Sequence, residues 1–423
     1  MDKYVIHGEI PLKGTVAISG AKNSSLPLMA ASLLTDEPVI LHNVPDLMDI
    51  RTMIALLTYL GKKVTIEDTH TLRIEEVSSQ SYEAPYDIVR KMRASIAVLG
   101  PLLGRRGRAR VSFPGGCTIG PRPVDLHIRG MKALGAEIVI EEGYINATCP
   151  KLKGTSMNLL GSFGPSVLGT ENVMMAAVLA EGTTVIEGAA CEPEVADLAQ
   201  CLNKMGAKIS GAGTSVITIE GVERLHGVEY TTIPDRIEAG TFIAAAGITG
   251  GEITLTNTCV AHLAEPIEVF SKAGVEIEIL SHTTLVARGK TIRPVEVETK
   301  PYPFFPTDLQ AQLMAMVTLA DGISIISEKI FPDRFLHAAE LCRMGADIHV
   351  DGAVAVVKGV PRLSGASIMA SDLRAGAGLV LAGLAAKGKT EVLRIYHIDR
   401  GYEHFEEKLR ALGADIQRRP QEE

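Results

Sequence analysis

The chain has 423 residues, 46% of them hydrophobic, with a formal net charge of −8. A length of this order suggests about two to four domains, and the acidic balance argues against a nucleic-acid footprint. Aromatics make up only 4% and tryptophan is absent, which argues against base-stacking platforms and carbohydrate-stacking surfaces.

In chain order, the first predicted element is a short strand, Tyr4 to Gly8. Apolar helices follow at Ser24 to Leu34, Ala94 to Leu103, Thr170 to Ala180, Ala239 to Ile248, Leu309 to Ala320 and Ala375 to Ala386. They are apolar around most of their circumference, which places them inside a domain. An amphipathic helix follows each, as in Asp125 to Leu134 and Asp333 to Met344, with strands such as Val111 to Phe113 and Val354 to Val357 alongside.

Each amphipathic helix ends in a glycine, at 61, 135, 206, 274, 345 and 413, so the intervals are 74, 71, 68, 71 and 68. A glycine at a helix end suits a left-handed cap, and six at so even a spacing mark a repeat. Each repeat reads strand-helix-strand-helix-strand-strand. The last repeat stops after Gln417 and lacks its final strand, while the strand at Tyr4 to Gly8 stands alone ahead of the first. The N-terminal strand is therefore expected to complete the sixth repeat. The prediction is an α/β protein of two globular domains, each built from three βαβαββ units around buried helices. The domains are residues 22–231, and residues 1–21 joined to 232–423. An open solenoid is the alternative, but fully buried helices suit closed globules better. Two chain crossings would make a hinge, and a cleft there is the expected ligand site.

Charged and polar residues stand before the buried helices: Lys22 and Asn23, Arg93, Ser166, Asp308, then Asp372 and Arg374. Loops before the amphipathic helices add Cys117, Arg122, Arg334 and Arg400. Helix starts attract anions through free N–H groups and the dipole. Cations there strengthen an anion site but oppose the dipole, so capping does not account for them. Asp308 and Asp372, taken singly, read as plain N-caps. The segment from Pro114 to Pro123 sets one thiol in a Gly-rich turn beside Arg122, a setting that tunes cysteine acidity.

The six cysteines, at 117, 149, 191, 201, 259 and 342, include no Cys-x-x-Cys pair, and no histidine cluster has metal spacing. Neither a disulfide framework nor a metal is expected, and a reducing cytoplasm is the natural compartment. Met1 to Gly20 lacks the pattern of a signal peptide, and Ala375 to Ala386 is too short to span a bilayer.

Four segments together resemble a known family: Ser19-Gly20-Ala21-Lys22-Asn23, Pro114 to Cys117 with Gly120 to His127, Pro306 to Gln310, and Ser371 to Gly376. The chain is similar, nearly end to end, to the UDP-N-acetylglucosamine 1-carboxyvinyltransferases (enolpyruvyl-UDP-GlcNAc synthases) of the EPSP synthase superfamily. The resemblance implies an inside-out α/β barrel fold with two three-unit domains. It implies transfer of enolpyruvate from phosphoenolpyruvate to the 3′-hydroxyl of UDP-N-acetylglucosamine, with phosphate released and no cofactor needed. By motif, Cys117 would be the acid at the methylene carbon and Asp308 the base at the hydroxyl. Lys22, Arg122 and Arg400 would hold phosphate; Arg334 and Arg374 would hold carboxylate. Asn23 and Arg93 would be further anchors, and Asp372 would orient its neighbours. Arg122, Pro123, Val124, Asp125 and Leu126, with Ser166, Val167 and Leu168, would hold uridine and diphosphate, and Ile330 would lie near the sugar. Leu168 departs from the smaller residue of many relatives, which weakens the expectation at the diphosphate. An enolpyruvyl transferase for another alcohol, or an idle paralogue that binds the sugar nucleotide, are the competing readings.

Overall fold

The computed structural model describes residues 2–114 and 124–421. Cys117, Arg122 and Pro123 lie outside the described residues. The chain divides into two compact units at Ser19/Gly20 and at Ile233/Pro234. Each unit has its own hydrophobic core, one drawn from residues between Leu26 and Tyr230, the other from Tyr4 to Ile18 and Ile237 to Ile416.

The repeat appears among the described residues as six four-stranded sheets with one shared topology. In each, a leading strand pairs parallel with the second, and two antiparallel pairings follow. Glu83–Ala84, Arg108–Ser112, Tyr144–Thr148 and Glu137–Glu141 form one such sheet. Parallel neighbours need a crossover, and a buried helix supplies it. The sixth sheet is completed by the N-terminal strand Asp2–His7, which pairs antiparallel with both Lys389–Leu393 and Asp415–Pro420. Ile6 stands opposite Thr390 on one side and Ile416 on the other.

Leading strands are exchanged where the chain crosses. Lys13–Ala17 pairs parallel with Glu252–Thr256, far downstream, and Val228–Thr231 pairs parallel with Val39–His42, far upstream. Ser19, the last residue before the crossing, is pinned in its own unit. Its N–H donates to Glu238 at 2.7 Å, its hydroxyl to Glu403 at 2.6 Å, and Lys408 donates to the same hydroxyl at 2.6 Å.

Three buried helices pack together in each unit. They are Lys22–Ala31, Leu99–Arg106 and Val167–Ala177 in one, and Arg236–Thr249, Gln310–Val317 and Leu373–Ala385 in the other. Four of the six begin two or three residues earlier than apolar periodicity suggests, and in three of these a charged residue of the first turn, Lys22, Glu238 or Arg374, is itself buried. The predicted helix Ala94 to Leu103 is a 3₁₀ turn, Arg93–Val98, followed by an α-helix, Leu99–Arg106. Gly100 donates its N–H to the Asn172 side chain at 2.5 Å, and Pro101 has no N–H to give. Likewise, the helix predicted from Asp333 starts only at Leu336, after a turn in which Arg334 N–H bonds the Phe331 carbonyl at 2.9 Å.

The six cap glycines all have φ between 92° and 103°, a region that strains any side chain. In four of them the next alanine N–H bonds back across the cap, as in Ala136 to Met131 O at 3.0 Å and Ala414 to Leu409 O at 3.0 Å. This bond closes the helix by the Schellman pattern. Among the described residues, no helix is long and apolar enough to cross a membrane.

Candidate active site

In the unit that carries the C-terminus, the site residues gather at the starts of two buried helices. Asp308 sits in the 3₁₀ turn Thr307–Leu309 that leads into Gln310–Val317. It is not the N-cap that its position suggested. Its Oδ1 accepts from Arg334 Nη1 at 2.7 Å, and its Oδ2 from Arg374 Nε at 3.4 Å. Arg334 and Arg374 are only 7% and 2% exposed, whereas the Asp308 side chain keeps 27% of its surface open. A ligand hydroxyl can approach the carboxylate through this open part of its surface.

Burial works against charge on Arg374, but Tyr402, Asp308 and Asp235 more than offset it and hold the guanidinium above its ordinary range. Arg374 lies over the Tyr402 ring at 5.2 Å, and its buried Nη1 has no hydrogen-bond partner among the described residues. Arg334 is likewise buried and is held charged by Asp308 and Asp372. Asp372 is a true N-cap, accepting from Arg374 N at 2.9 Å and Ala375 N at 3.1 Å. Arg400 is half-buried at the end of the 3₁₀ turn Ile395–Arg400. Its charge, after burial itself, pushes the His397 pKa down, while Asp372 pulls it up. Arg400 and Asp372 therefore act on one neighbourhood. Burial, with Arg334 adding to it, holds His337 to about 4, so this ring is neutral.

The other unit offers cations and hydrogen-bonding groups at its own helix starts. Lys22 opens helix Lys22–Ala31 and is 8% exposed. Its Nζ is 3.3 Å from Asp49 Oδ2. The turn before it requires glycine, since a Cβ on Gly20 would fall 1.6 Å from the Asn43 carbonyl oxygen. Asn23, beside Lys22, is half-buried. Ser24 and Tyr230 both donate to the buried carboxylate of Asp197, the latter at 2.6 Å.

Arg93 begins its 3₁₀ turn half-buried and faces a histidine that the sequence motif contained but to which no role was given. Burial, with Arg93 adding to it, holds the His127 pKa to about 3. Asn172 fixes the tautomer of this ring. Its Oδ1 must accept from Gly100 N–H, so its Nδ2 donates to Ile96 O at 2.9 Å and to His127 Nδ1 at 2.9 Å. His127 thus carries its proton on Nε2.

Val124 and Leu126 are buried and Asp125 exposed at the start of helix Asp125–Ala133. Ser166 caps the helix Val167–Ala177, accepting from Gly169 N at 3.1 Å. A Cβ on Gly169 would meet Ser166 Oγ at 2.9 Å and Leu126 Cβ at 3.5 Å, so Leu126 and the Ser166 turn are neighbours. Val167 and Leu168 are half-buried there. One turn further on, Glu171 is fully buried, with neither carboxylate oxygen hydrogen-bonded among the described residues. Burial, reinforced by Glu194, Glu192 and Asp197, raises its pKa well above the usual range.

Ile330 is half-buried, and its backbone N–H donates to the buried Glu328 at 2.9 Å. Thr307 stood in the Pro306 to Gln310 segment without a role of its own, whereas Glu328 and Asn172 carried no sequence signal, because they act through Thr299 and Thr307, and through Gly100 and Ile96, far along the chain. A surface cavity of about 550 Å³, lined by Arg105, Arg106, Arg108, Cys149, Lys151 and Glu223, contains none of the predicted residues. It lies at the C-terminal end of helix Leu99–Arg106, where the helix dipole repels anions. Among the described residues, no group of three or more His, Cys, Asp or Glu is arranged to hold a metal ion.

The arrangement pairs one half-open carboxylate with buried cations, a set suited to moving a proton beside an anionic ligand. The sequence profile of the EPSP synthase (3-phosphoshikimate 1-carboxyvinyltransferase) family matches residues 6–409. A UDP-N-acetylglucosamine 1-carboxyvinyltransferase from Methylacidiphilum infernorum is 56% identical over 418 residues, 99% of each chain. The protein of the same name from Desulfosudis oleivorans is 54% identical over 418 residues, again 99% of each. The crystal structure of the enolpyruvyl transferase NikO from Streptomyces tendae superimposes with a TM-score of 0.88 at 28% identity, covering 99% of this chain and 98% of that one. The chain therefore belongs to the EPSP synthase family, alongside the UDP-N-acetylglucosamine 1-carboxyvinyltransferases.

Proposed function

We propose that this protein transfers the enolpyruvyl group of phosphoenolpyruvate to the 3′-hydroxyl of UDP-N-acetylglucosamine, releasing phosphate. This is the first committed step of peptidoglycan synthesis, and we place it in the cytoplasm. The activity is the one in the names of the relatives at 54% and 56% identity. The observation that carries the reading is the Asp308 carboxylate, part open and clasped by two buried arginines.

The reaction has two stages. The sugar oxygen bonds to C2 of phosphoenolpyruvate while the hydroxyl loses its proton and the methylene carbon gains one. The bond from C2 to the phosphate oxygen then breaks, the new methyl group returns a proton, and the double bond re-forms. Asp308 takes the hydroxyl proton. Cys117 supplies the proton to the methylene carbon, as the family motif assigns; a thiol with a reference pKa of about 8.5 is mostly protonated at neutral pH. Lys22, Arg122 and Arg400 hold phosphate, and Arg334 and Arg374 meet the carboxylate. Fixed cations of this kind stabilise the doubly anionic intermediate without reorganising. Asn23 and Arg93 anchor the ligand, with Asp372 holding the arginines in place. Pro123, Val124, Asp125, Leu126, Ser166, Val167 and Leu168 form the nucleotide side, and Ile330 borders the sugar.

The test is phosphate release with both substrates, with and without a fosfomycin-type epoxide that alkylates thiols. Release is expected only when both substrates are present, and it should stop with the epoxide. Release with another alcohol, or binding of the sugar nucleotide with no release, would overturn the assignment.

A further inference from the structure

Glu328 ends the strand Ile323–Glu328, is fully buried, and accepts four hydrogen bonds. Oε1 takes Thr299 Oγ1 at 2.6 Å, Ile330 N at 2.9 Å and Phe331 N at 3.0 Å, and Oε2 takes Thr307 Oγ1 at 2.9 Å. The two threonine hydroxyls are polarised by the same carboxylate. Thr299 Oγ1 gives its hydrogen to Glu328 and accepts from Lys329 N at 3.0 Å. Thr307 Oγ1 gives its hydrogen to Glu328 and accepts from Arg334 Nη1 at 3.0 Å. The same Arg334 Nη1 donates to Asp308 at 2.7 Å.

We infer that Glu328 is the positioning residue that orients two parts of the reaction site at once through opposite oxygens. This rests on the activity proposed above. One branch runs through Thr307 and Arg334 to Asp308. A hydroxyl whose hydrogen is committed to a carboxylate can turn only a lone pair to the guanidinium, so Arg334 has a fixed orientation against Asp308. The other branch runs through Thr299 and the N–H groups of Ile330 and Phe331, and it shapes the turn after the strand that carries Ile330. Glu328 itself is fully buried, so its effect passes through these partners. The two branches touch different steps: the first serves the proton acceptor, the second the sugar.

Single-hydroxyl deletions separate the branches. Thr307→Val removes the acceptor that orients Arg334, and kcat should fall about tenfold or more with KM for UDP-N-acetylglucosamine little changed. Thr299→Val loosens the turn at Ile330, and KM should rise about tenfold, more than kcat falls. Titration calorimetry of the sugar nucleotide should match, with weaker binding in Thr299→Val only. Glu328→Gln should show both losses. Parallel changes in kcat and KM in the two threonine variants, or losses that only follow a drop in thermal midpoint, would overturn the inference. If Glu328→Gln fails to fold, the threonine pair still decides the question. A wild-type protein that releases no phosphate would sink the activity reading instead, so the two failures are distinguishable.

Discussion

The Asp308 carboxylate accepts a hydrogen bond from Arg334 at 2.7 Å, across 26 residues of sequence, and shares its second oxygen with Arg374 at 3.4 Å. Removing the carboxylate should stop proton transfer while leaving two buried cations near the opening. Asp308→Ala is expected to lower turnover by about a hundredfold or more, with the protein still folded by circular dichroism. Near-normal turnover would remove Asp308 as the base.

Cys117 lies outside the described residues, and its role comes from the family motif alone. Cys117→Ser should nearly abolish turnover, because a hydroxyl is a far weaker acid than a thiol. Binding of UDP-N-acetylglucosamine should survive, and the epoxide should no longer label the protein by mass spectrometry. Loss of sugar-nucleotide binding in this variant would count against an acid that acts only on the donor.

Asp372 does two things, and two variants separate them. As an N-cap it bonds the N–H groups of Arg374 and Ala375, and as a charge it helps hold Arg334 cationic. Asp372→Ala should cost about 1 kcal/mol in urea denaturation. Asp372→Asn keeps a capping oxygen and should retain most of that stability, yet lose turnover. Equal losses of both in the two variants would leave the charge without a role.

His127 should make stability depend on pH. Its folded pKa is held to about 3, below the ordinary value of 6.5. The folded ring stays neutral where the unfolded ring takes up a proton. Its contribution is therefore complete above pH 6.5 and is lost as pH falls toward about 3, at a limiting slope of about 1.4 kcal/mol per pH unit. His127→Gln should flatten this limb of a plot of urea midpoint against pH. An unchanged slope would mean that the ring is not buried as a neutral group.

Much of the fold was legible because it rests on local rules repeated along the chain. Glycine is the residue that meets φ near 95° without strain, so the caps Gly135 and Gly413 announced helix ends. The absent final strand of the sixth repeat pointed to Tyr4 to Gly8, and the strand observed there, Asp2–His7, supplies what was missing through its register with Lys389–Leu393 and Asp415–Pro420. Asp372 was readable as a cap because capping needs only the next three residues.

The sequence by itself determined the repeat, the buried helices and the polar residues at their starts, since periodicity and backbone chirality act over a few residues. Tertiary structure alone decided which of those charges meet. Asp308 gave up capping because two guanidiniums brought from 26 and 66 residues away offer its charge more than backbone amides do. It also set His127 neutral, turned Asn172 to hold it, and placed Glu328 behind Thr307. Such roles depend on burial and on partners far along the chain, and neither quantity is written in any short stretch of residues.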